Sequence, residues 1–248
     1  MYMQLNLQIN ILPFGIKFWK KQPLRLLIVR HGQTVANVDP NQNKVFADSK
    51  IPLTDLGEEQ ALKTANFIAK YYAKNGIQNR VRMWCSPYNR AQVTGDIILG
   101  HLQNKMPQLG IDRRYDFRLR EQEFGYTDGM ENAEIQEKFP MAFNMYDKLE
   151  SQGARFYARK YGGESWADVA DRTQGWIGTM QRDADKYGIQ DVVVVAHGVT
   201  NRALTMTYCH HDHFNPSWFE SERNPKNCSV RLLDGSGPDG DKGYIFIP

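Results

Sequence analysis

The sequence predicts an α/β fold in three layers, α/β/α, around a mostly parallel central sheet. Short apolar segments alternate with longer segments of helical periodicity, and residues 192–195 are four valines in succession. Strands that alternate with helices favour a layered α/β domain, and uninterrupted apolar strands are typical of a parallel sheet covered on both faces. No repeat or change of composition divides residues 23–248, so these residues are expected to form one domain.

The expected elements follow in chain order. Strands are expected at 25–29, 81–86, 191–198, 229–234 and 243–248. Helices are expected at 55–74, 87–101 and 165–187. A helical excursion is expected around 125–165, with interruptions near Pro140, Gly153 and Gly162.

Each predicted helix begins at a local signal. Asp55 with Glu58 has the spacing of a capping box. Ser86, which precedes a proline, has the pattern of an N-cap before a first-turn proline. Ser165 and Asp168 are candidates to cap the third helix.

Residues 1–22 are expected to form an N-terminal arm or an extra edge strand. Alternating apolar residues in "MQLNLQINIL" favour a strand. The lysines follow this apolar segment, whereas a signal peptide carries its positive charge before it. A membrane-surface anchor is the alternative. Elsewhere no apolar run approaches the ~20 residues that span a bilayer, so no membrane association is expected.

Charge and cysteine content exclude two kinds of site. The net charge is +3 with acidic and basic residues interspersed, which gives no basic stripe for nucleic acid. Cys85, Cys209 and Cys228 are odd in number and form no C-x-x-C pair. Such free thiols are typical of a reducing compartment, so a cytoplasmic protein without a cysteine-based zinc site is expected.

Two predicted strands end in the same way, with a histidine followed by a glycine. Arg30, His31 and Gly32 close the first strand, and His197 and Gly198 close the valine-rich strand. Ligands bind beyond the carboxyl ends of parallel strands, so the two histidines meet if these strands are neighbours. Each glycine lets the backbone approach a ligand closely.

A third strand end leads into a predicted helix that carries Arg90 near its start. Helix N-termini favour anions, and the planar guanidinium of arginine matches phosphate oxygens in pairs. Arg30, Arg90, the two histidines and the helix start therefore predict a pocket for a compact, multiply charged anion. Phosphate fits this description best.

Several ordered motifs carry a family resemblance. "RHGQTVAN" matches the pattern R-H-G-x-T-x-x-N, and "PLTDLGEEQA" follows it. "SPYNRAQVT", "LREQEFG", "GGES" and "VVVVAHG" come later in the chain. Together these segments, from residue 24 to about residue 204, resemble the histidine phosphatase superfamily, also called the phosphoglycerate mutase-like family. The resemblance implies a phosphoglycerate mutase-like fold.

The resemblance also implies phosphohistidine chemistry without a cofactor or a metal ion. His31 would be the nucleophile, with its tautomer fixed by an acceptor near the Gly32 carbonyl. Glu121 in "LREQEFG" would protonate the leaving group, a task that suits a carboxylic acid. Glu123 is a rival for this role, and Asp128 is a weaker one.

The remaining motif residues would bind the phosphate group. Arg30, Arg90 and His197 would hold its oxygens and stabilise the transition state. Asn37 would donate to the same oxygens, and Gly198 would lie beside them. "GGES" is expected to end one helix and cap the next, with a substrate contact as the alternative.

The histidines of "HHDH" at 210–213 lack the one-turn spacing of helical metal ligands. A polar surface or a pocket rim is therefore expected there, and no metal site.

Three functions fit these residues. The first is a phosphatase for a small phosphorylated substrate, with a phosphoprotein not excluded. The second is a mutase, which would use basic residues between Glu121 and His197 in a lid. The third is a non-catalytic scaffold that binds a phosphorylated ligand, which would need no proton donor. The pattern of "LREQEFG" with "GGES" resembles broad-specificity phosphatases, so phosphomonoester hydrolysis is favoured. The sequence predicts neither the substrate nor the oligomeric state.

Overall fold

A computed structural model describes residues 24–159, 161–213, 215–219 and 224–248. Strands β1 to β6 are, in order, Arg25–Arg30, Val81–Cys85, Asp112–Tyr115, Asp191–Ala196, Val230–Leu233 and Asp241–Phe246. Helices α1 to α8 are, in order, Val35–Val38, Gln42–Val45, Asp55–Lys74, Asn89–Lys105, Asn132–Lys138, Pro140–Ser151, Trp166–Tyr187 and Gly198–Tyr208.

The strands form one six-stranded sheet in the order β3-β2-β4-β1-β5-β6. Strands β3, β2, β4 and β1 are parallel to one another, and β5 pairs antiparallel with both β1 and β6. The mostly parallel sheet of the predicted fold class is confirmed. β1 and β4 are adjacent, so the two strands that end in histidine and glycine lie side by side.

Helices cover both faces of the sheet, as the continuous apolar strands predict. Along β1, Leu27 and Val29 pack into a core with residues of α3 and α4. Leu26 and Ile28 point to the other face, into a core with residues of α7 and α8. This alternation has the period of two that a strand imposes, and it produces the predicted three layers.

The helix starts agree with the sequence in part. α3 has the predicted bounds, but Thr54 caps it, since its side chain accepts from the Gly57 N–H. Ser165 caps α7 in a capping box with Asp168, as predicted.

The start of α4 differs from the prediction at Ser86. The helix begins at Asn89 without a side-chain cap. Ser86 is fully buried at the end of β2, and its hydroxyl is engaged by His197 instead. The Ser86 side chain is thus used inside the protein at the end of β2, and two further residues, Pro87 and Tyr88, precede the helix.

β3 and α8 were not predicted from the sequence, and neither were the short helices α1 and α2. β3 has the polar sequence "DRRY" because it forms an edge of the sheet and has little apolar surface to bury. α8 directly follows His197, and Gly198–Thr207 are all buried, so its sequence shows no polar face that would mark it as a helix. The helical excursion around 125–165 consists of α5, α6 and short 3-10 turns.

The strand or arm predicted for residues 1–22 lies outside the described residues. Within the described ranges, which begin at residue 24, no helix has both the length and the apolarity needed to cross a bilayer.

Candidate active site

The parallel pairing of β1 with β4 brings the two histidines together. Arg30 pairs with Ala196 at the ends of these strands, and the His31 N–H donates to the Ala196 carbonyl oxygen at 3.0 Å. The His31 and His197 rings follow directly, with their centroids 5.2 Å apart. The convergence predicted from the strand ends is therefore present, at the edge where α/β sheets bind ligands.

His31 is buried, and its side chain has a defined tautomer. Its Nδ1 lies 2.8 Å from the Gly32 carbonyl oxygen. A carbonyl oxygen can only accept, so Nδ1 carries the proton and Nε2 keeps its lone pair. Burial, together with the charges of Arg90 and Arg30, lowers the pKa of His31 well below its usual value. The ring is therefore neutral and its free nitrogen is nucleophilic at physiological pH.

His197 differs because both of its ring nitrogens are occupied. Arg90 Nε donates to Nδ1 at 3.2 Å, and Nε2 lies 2.7 Å from the Ser86 hydroxyl oxygen. Since the guanidinium can only donate, Nδ1 is the acceptor and Nε2 carries the proton. Burial, followed by the charges of Arg90, His31 and Arg30, lowers the pKa of His197 well below its usual value.

Arg90 lies in the first turn of α4 and is buried. In addition to His197 it contacts Asp48 and Tyr88. Its Nη1 is 2.8 Å from a carboxylate oxygen of Asp48 and also donates to the Asp48 carbonyl oxygen. Its guanidinium also lies over the Tyr88 ring, 5.1 Å from the centroid. Burial, with nearby Asp48 and Glu123, raises the pKa of Tyr88 to about 12, so its hydroxyl stays neutral.

Arg30 is held by a segment near the C-terminus. Its Nη1 donates to the Pro225 carbonyl oxygen at 2.7 Å, while its buried Nε has no partner among the described residues. Burial lowers the pKa of Arg30; nearby Glu121 opposes this shift, and the charge of Arg90 adds to it. Two arginines that lose hydration and repel each other favour an incoming anion at this place.

Asn37 and Gly198 have structural roles at the site, and their contact with phosphate stays a prediction. Asn37 Oδ1 accepts from the Thr34 N–H at 3.1 Å in a capping box, and also from Asn227 Nδ2 at 3.2 Å. Gly198 is the first residue of α8. A Cβ atom there would lie only 2.9 Å from Asn224 Oδ1 and 3.6 Å from Glu121 Oε2, so the absence of a side chain lets both approach.

Glu121 reaches the N-terminus of α8. Its Oε1 accepts from the Thr200 N–H at 3.3 Å, and its Oε2 accepts from the Val199 N–H at 3.4 Å. Free N–H groups and the helix dipole stabilise negative charge at this position. The helix that follows His197 therefore holds the predicted acid beside Gly198.

The two rival acids lie elsewhere. Glu123 is 52% exposed and pairs with Arg120 Nε at 3.2 Å. Asp128 is exposed, near Asp48 and Arg90, and desolvation followed by the Asp48 charge raises its pKa. The partly buried contact with α8 distinguishes Glu121 from both, although the assignment of the acid stays a prediction.

Several residues at the site were missed by sequence reasoning. A segment just before β5 returns to the first motif: Asn227 Nδ2 donates to the His31 carbonyl oxygen at 3.0 Å, and the Cys228 N–H donates to that of Arg30 at 3.0 Å. These contacts join residues about 200 positions apart and leave no local pattern. Ser86 was noticed only as a cap, although it stands in a recognised motif.

The "HHDH" histidines point in different directions. His211 Nε2 lies 3.6 Å from an Asp241 carboxylate oxygen, and His213 packs against the Phe156 ring. Among the residues that the structure describes, no group of three or more His, Cys, Asp or Glu is arranged to hold a metal ion.

Comparisons with known proteins agree with this geometry. A family model described as histidine phosphatase superfamily (branch 1) matches residues 26–240. The chain is 30% identical over 230 residues to the phosphoglycerate mutase-like protein AT74 of Arabidopsis thaliana, covering 89% of this chain and 68% of the relative. It is 31% identical over 186 residues to the glucosyl-3-phosphoglycerate phosphatase of Mycolicibacterium vanbaalenii, covering 73% and 72%.

A solved structure has the same fold. The mycobacterial glucosyl-3-phosphoglycerate phosphatase in complex with VO3 superposes with a TM-score of 0.62 at 26% identity, covering 90% of this chain and 98% of that one. With its two histidines and two arginines at the ends of parallel strands, the chain belongs to the histidine phosphatase superfamily. The resemblance inferred from the motifs is confirmed.

Proposed function

We propose that this protein is a phosphatase that hydrolyses a phosphomonoester through a phosphohistidine on His31, without a metal ion. One observation carries the proposal: the Gly32 carbonyl oxygen holds the Nδ1 proton of His31, which leaves a neutral Nε2 beside His197, the buried Arg90 and the partly buried Arg30. A neutral imidazole nitrogen in a cationic pocket is suited to attack a phosphoryl group.

The first half-reaction transfers the phosphoryl group to the protein. His31 Nε2 attacks phosphorus in line and forms the N–P bond as the ester P–O bond breaks. Arg30 and Arg90 hold the equatorial oxygens and stabilise their charge, and His197 joins them once its Nε2 proton turns from the Ser86 hydroxyl to the phosphate. Glu121 in its acid form gives its proton to the leaving oxygen, so the alcohol departs neutral.

The second half-reaction restores the protein. The Glu121 carboxylate takes a proton from water as the water oxygen attacks phosphorus, and the N–P bond breaks. Inorganic phosphate leaves, His31 regains its neutral tautomer and Glu121 regains its proton. The Val199 and Thr200 N–H groups at the N-terminus of α8 hold the Glu121 carboxylate in place.

The relatives support hydrolysis and suggest substrates. Glucosyl-3-phosphoglycerate phosphatase, at 31% identity, is named for a phosphatase activity on a sugar derivative of an acidic phosphate ester. We include this ester in a substrate panel with sugar phosphates, nucleotides and phosphopeptides. A phosphoglycerate mutase activity is the second candidate, because a mutase uses the same phosphohistidine and returns the phosphoryl group to a different hydroxyl.

The proposal is tested by phosphate release from an aryl phosphate in the presence of EDTA, with wild type beside His31→Ala. We expect release that survives the chelator and disappears in the variant. Vanadate should inhibit this release, and protection of the fold against heating by vanadate would report binding of a phosphate analogue even for an inactive protein. Binding without turnover of any panel member would contradict the phosphatase and leave the phospho-ligand scaffold.

A parallel measurement separates hydrolase from mutase. The protein is incubated with 3-phosphoglycerate and a trace of bisphosphoglycerate, and isomer and free phosphate are followed together. Faster isomer formation than phosphate release would overturn the hydrolase assignment in favour of the mutase.

A further inference from the structure

We infer that Arg172 and Glu164 form a clamp that positions Glu121 for proton transfer, so that both are positioning residues for the acid step. The inference rests on the proposed function, in which Glu121 is the proton donor. The sequence predicts that "GGES" ends one helix and caps the next, with a substrate contact as the alternative. Arg172 is one of the basic residues between Glu121 and His197 that a mutase would use in a lid. The structure gives both residues a different set of partners.

Arg172 joins α7 to the Glu121 loop, which we define as residues 118–123. Its Nη1 donates to the Arg118 carbonyl oxygen at 2.5 Å, and its Nη2 donates to the Glu121 carbonyl oxygen at 3.1 Å. The two bonds bracket the loop at its first residue and at the acid itself. The Arg172 side chain is only 9% exposed, so these are bonds in a largely dehydrated place.

Glu164 orients Arg172 and holds the loop from a second side. Arg172 Nε and Nη2 donate to its two carboxylate oxygens at 2.9 and 3.1 Å, a bidentate pair. Arg120 Nη2 donates to the same carboxylate at 2.6 Å, and so does the Glu123 N–H at 3.1 Å. One carboxylate therefore collects donors from α7 and from both sides of Glu121.

The backbone of "GGES" continues this contact. The Glu164 N–H donates to the Glu123 carbonyl oxygen at 2.8 Å, and Gln122 Nε2 donates to the Glu164 carbonyl oxygen at 2.7 Å. A Cβ atom on Gly163 would lie 2.3 Å from the Glu123 carbonyl oxygen. The two segments are thus as close as a pair of strands, and only glycine permits that approach.

α8 completes the placement of the acid from the other side. The Thr200 hydroxyl donates to the Arg120 carbonyl oxygen at 2.5 Å, while Thr200 and Val199 N–H groups hold the carboxylate. The clamp fixes the backbone of Glu121, and α8 fixes its side chain. A proton donor must lie within hydrogen-bond reach of the leaving oxygen, so loss of the clamp should affect the acid step before any other.

The test compares leaving groups in Arg172→Lys, which keeps the charge next to Glu164 but cannot supply three separate donors in a fork. Para-nitrophenolate departs without a proton, whereas an alkoxide needs one. We expect kcat/KM for glycerol phosphate to fall about 30-fold and that for para-nitrophenyl phosphate to fall less than about 3-fold. Glu164→Gln, a change of similar shape, should give the same split if Arg172→Lys folds poorly.

A double-mutant cycle shows whether the effect passes through Glu121. In a Glu121→Gln background, Arg172→Lys should cause less than about a 2-fold further loss on glycerol phosphate. Arg159→Lys is the matched control, because Arg159 pairs with Asp168 at the start of the same helix at 2.6 Å and is 61% exposed. It should leave both substrates unchanged. Equal losses on the two substrates, or additive losses with Glu121→Gln, would overturn the inference.

Hydrogen exchange tests the clamp independently of turnover. Amides of the Glu121 loop should exchange about 10-fold faster in Arg172→Lys than in wild type or Arg159→Lys, at equal global stability. If wild type shows no His31-dependent hydrolysis, the proposed function fails and only the exchange measurement tests the clamp. Unchanged exchange in Arg172→Lys would then overturn the clamp. Faster exchange would retain it as a structural contact without a role in an acid step.

Discussion

The ends of β1 and β4 share a pattern but give their histidines different chemistry. His31 has one ring nitrogen bound to the adjacent Gly32 carbonyl oxygen and the other free. His197 has one nitrogen accepting from Arg90 and the other bound to Ser86. Both are buried and both have a pKa lowered well below the usual value, with burial as the main cause. The partners of the ring nitrogens, and not the pattern or the burial, therefore leave Nε2 of His31 with its lone pair and give Nε2 of His197 its proton.

The comparison also explains why the site needs long-range contacts. The acceptor for His31 comes from the next residue, so it is present wherever the strand end forms. Both partners of His197 come from the end of β2 and the start of α4, more than 100 positions away. A local change should therefore disturb His197 more easily than His31, whereas loss of His31 itself should cost more.

The largest expected effect is that of His31→Ala. We expect kcat to fall about 10⁴-fold or more, because the nucleophile is lost. Rapid quenching into alkali with labelled substrate should trap a phosphoprotein in wild type and none in this variant. His101→Ala, a histidine of α4, is the control and should keep the label. A labelled His31→Ala protein would assign the nucleophile to another residue.

His197→Asn should have a smaller effect, because it removes a phosphate donor but leaves the nucleophile. We expect kcat/KM to fall about 10²-fold to 10³-fold, the usual range for loss of a charge-stabilising donor. The phosphoprotein should still form, more slowly, in the same trapping experiment. If His197→Asn abolished the label and His31→Ala did not, the roles of the two histidines would be reversed.

Ser86→Ala sharpens the comparison further. Without the hydroxyl, the Nε2 proton of His197 loses its partner at 2.7 Å and the ring is less firmly oriented. We expect a loss of about 10-fold in kcat/KM, with trapping of the phosphoprotein retained. Thr173→Val is the control, since among the described residues that buried hydroxyl bonds only to the Ala170 carbonyl oxygen in its own helix. If kcat/KM fell as much in Thr173→Val as in Ser86→Ala, the loss would follow from removal of any buried hydroxyl and not from the contact with His197.

The smallest expected effect is the dependence of stability on pH. The folded pKa of both histidines lies below the unfolded value of 6.5, so the unfolded chain binds more protons as pH falls below 6.5. The contribution of the two histidines to the free energy of unfolding is therefore complete above pH 6.5. It is lost below pH 6.5, at about 1.4 kcal/mol per histidine for each pH unit. Urea unfolding of the ligand-free protein between pH 6.5 and 5 measures this.

His31→Asn should remove about half of that slope, because one of the two titrating groups is gone. An equal slope in wild type and His31→Asn would show that other groups control the loss of stability between pH 6.5 and 5. Addition of phosphate should also reduce the slope, since an anion in the pocket favours the protonated rings.

The sequence was most informative where the pattern is local. The alternation of strands and helices predicted the layered fold, and the strand ends predicted that His31 and His197 converge. It failed where burial or an edge removed the pattern, as in α8 and in β3. It also misjudged Ser86, whose capping signal is overridden by the contact with His197.

Sequence by itself determined which groups this protein has near its strand ends: two histidines, two arginines and a carboxylate in "LREQEFG". The apolar residues of the strands themselves determined that the chain forms a covered sheet. Tertiary structure decided what each group can do. The tautomer of His197, the orientation of Arg90 by Asp48 and the clamp of Arg172 on Glu121 all depend on partners from distant segments. Hydrogen bonds act over about 3 Å, and only the packed fold brings such partners within that distance.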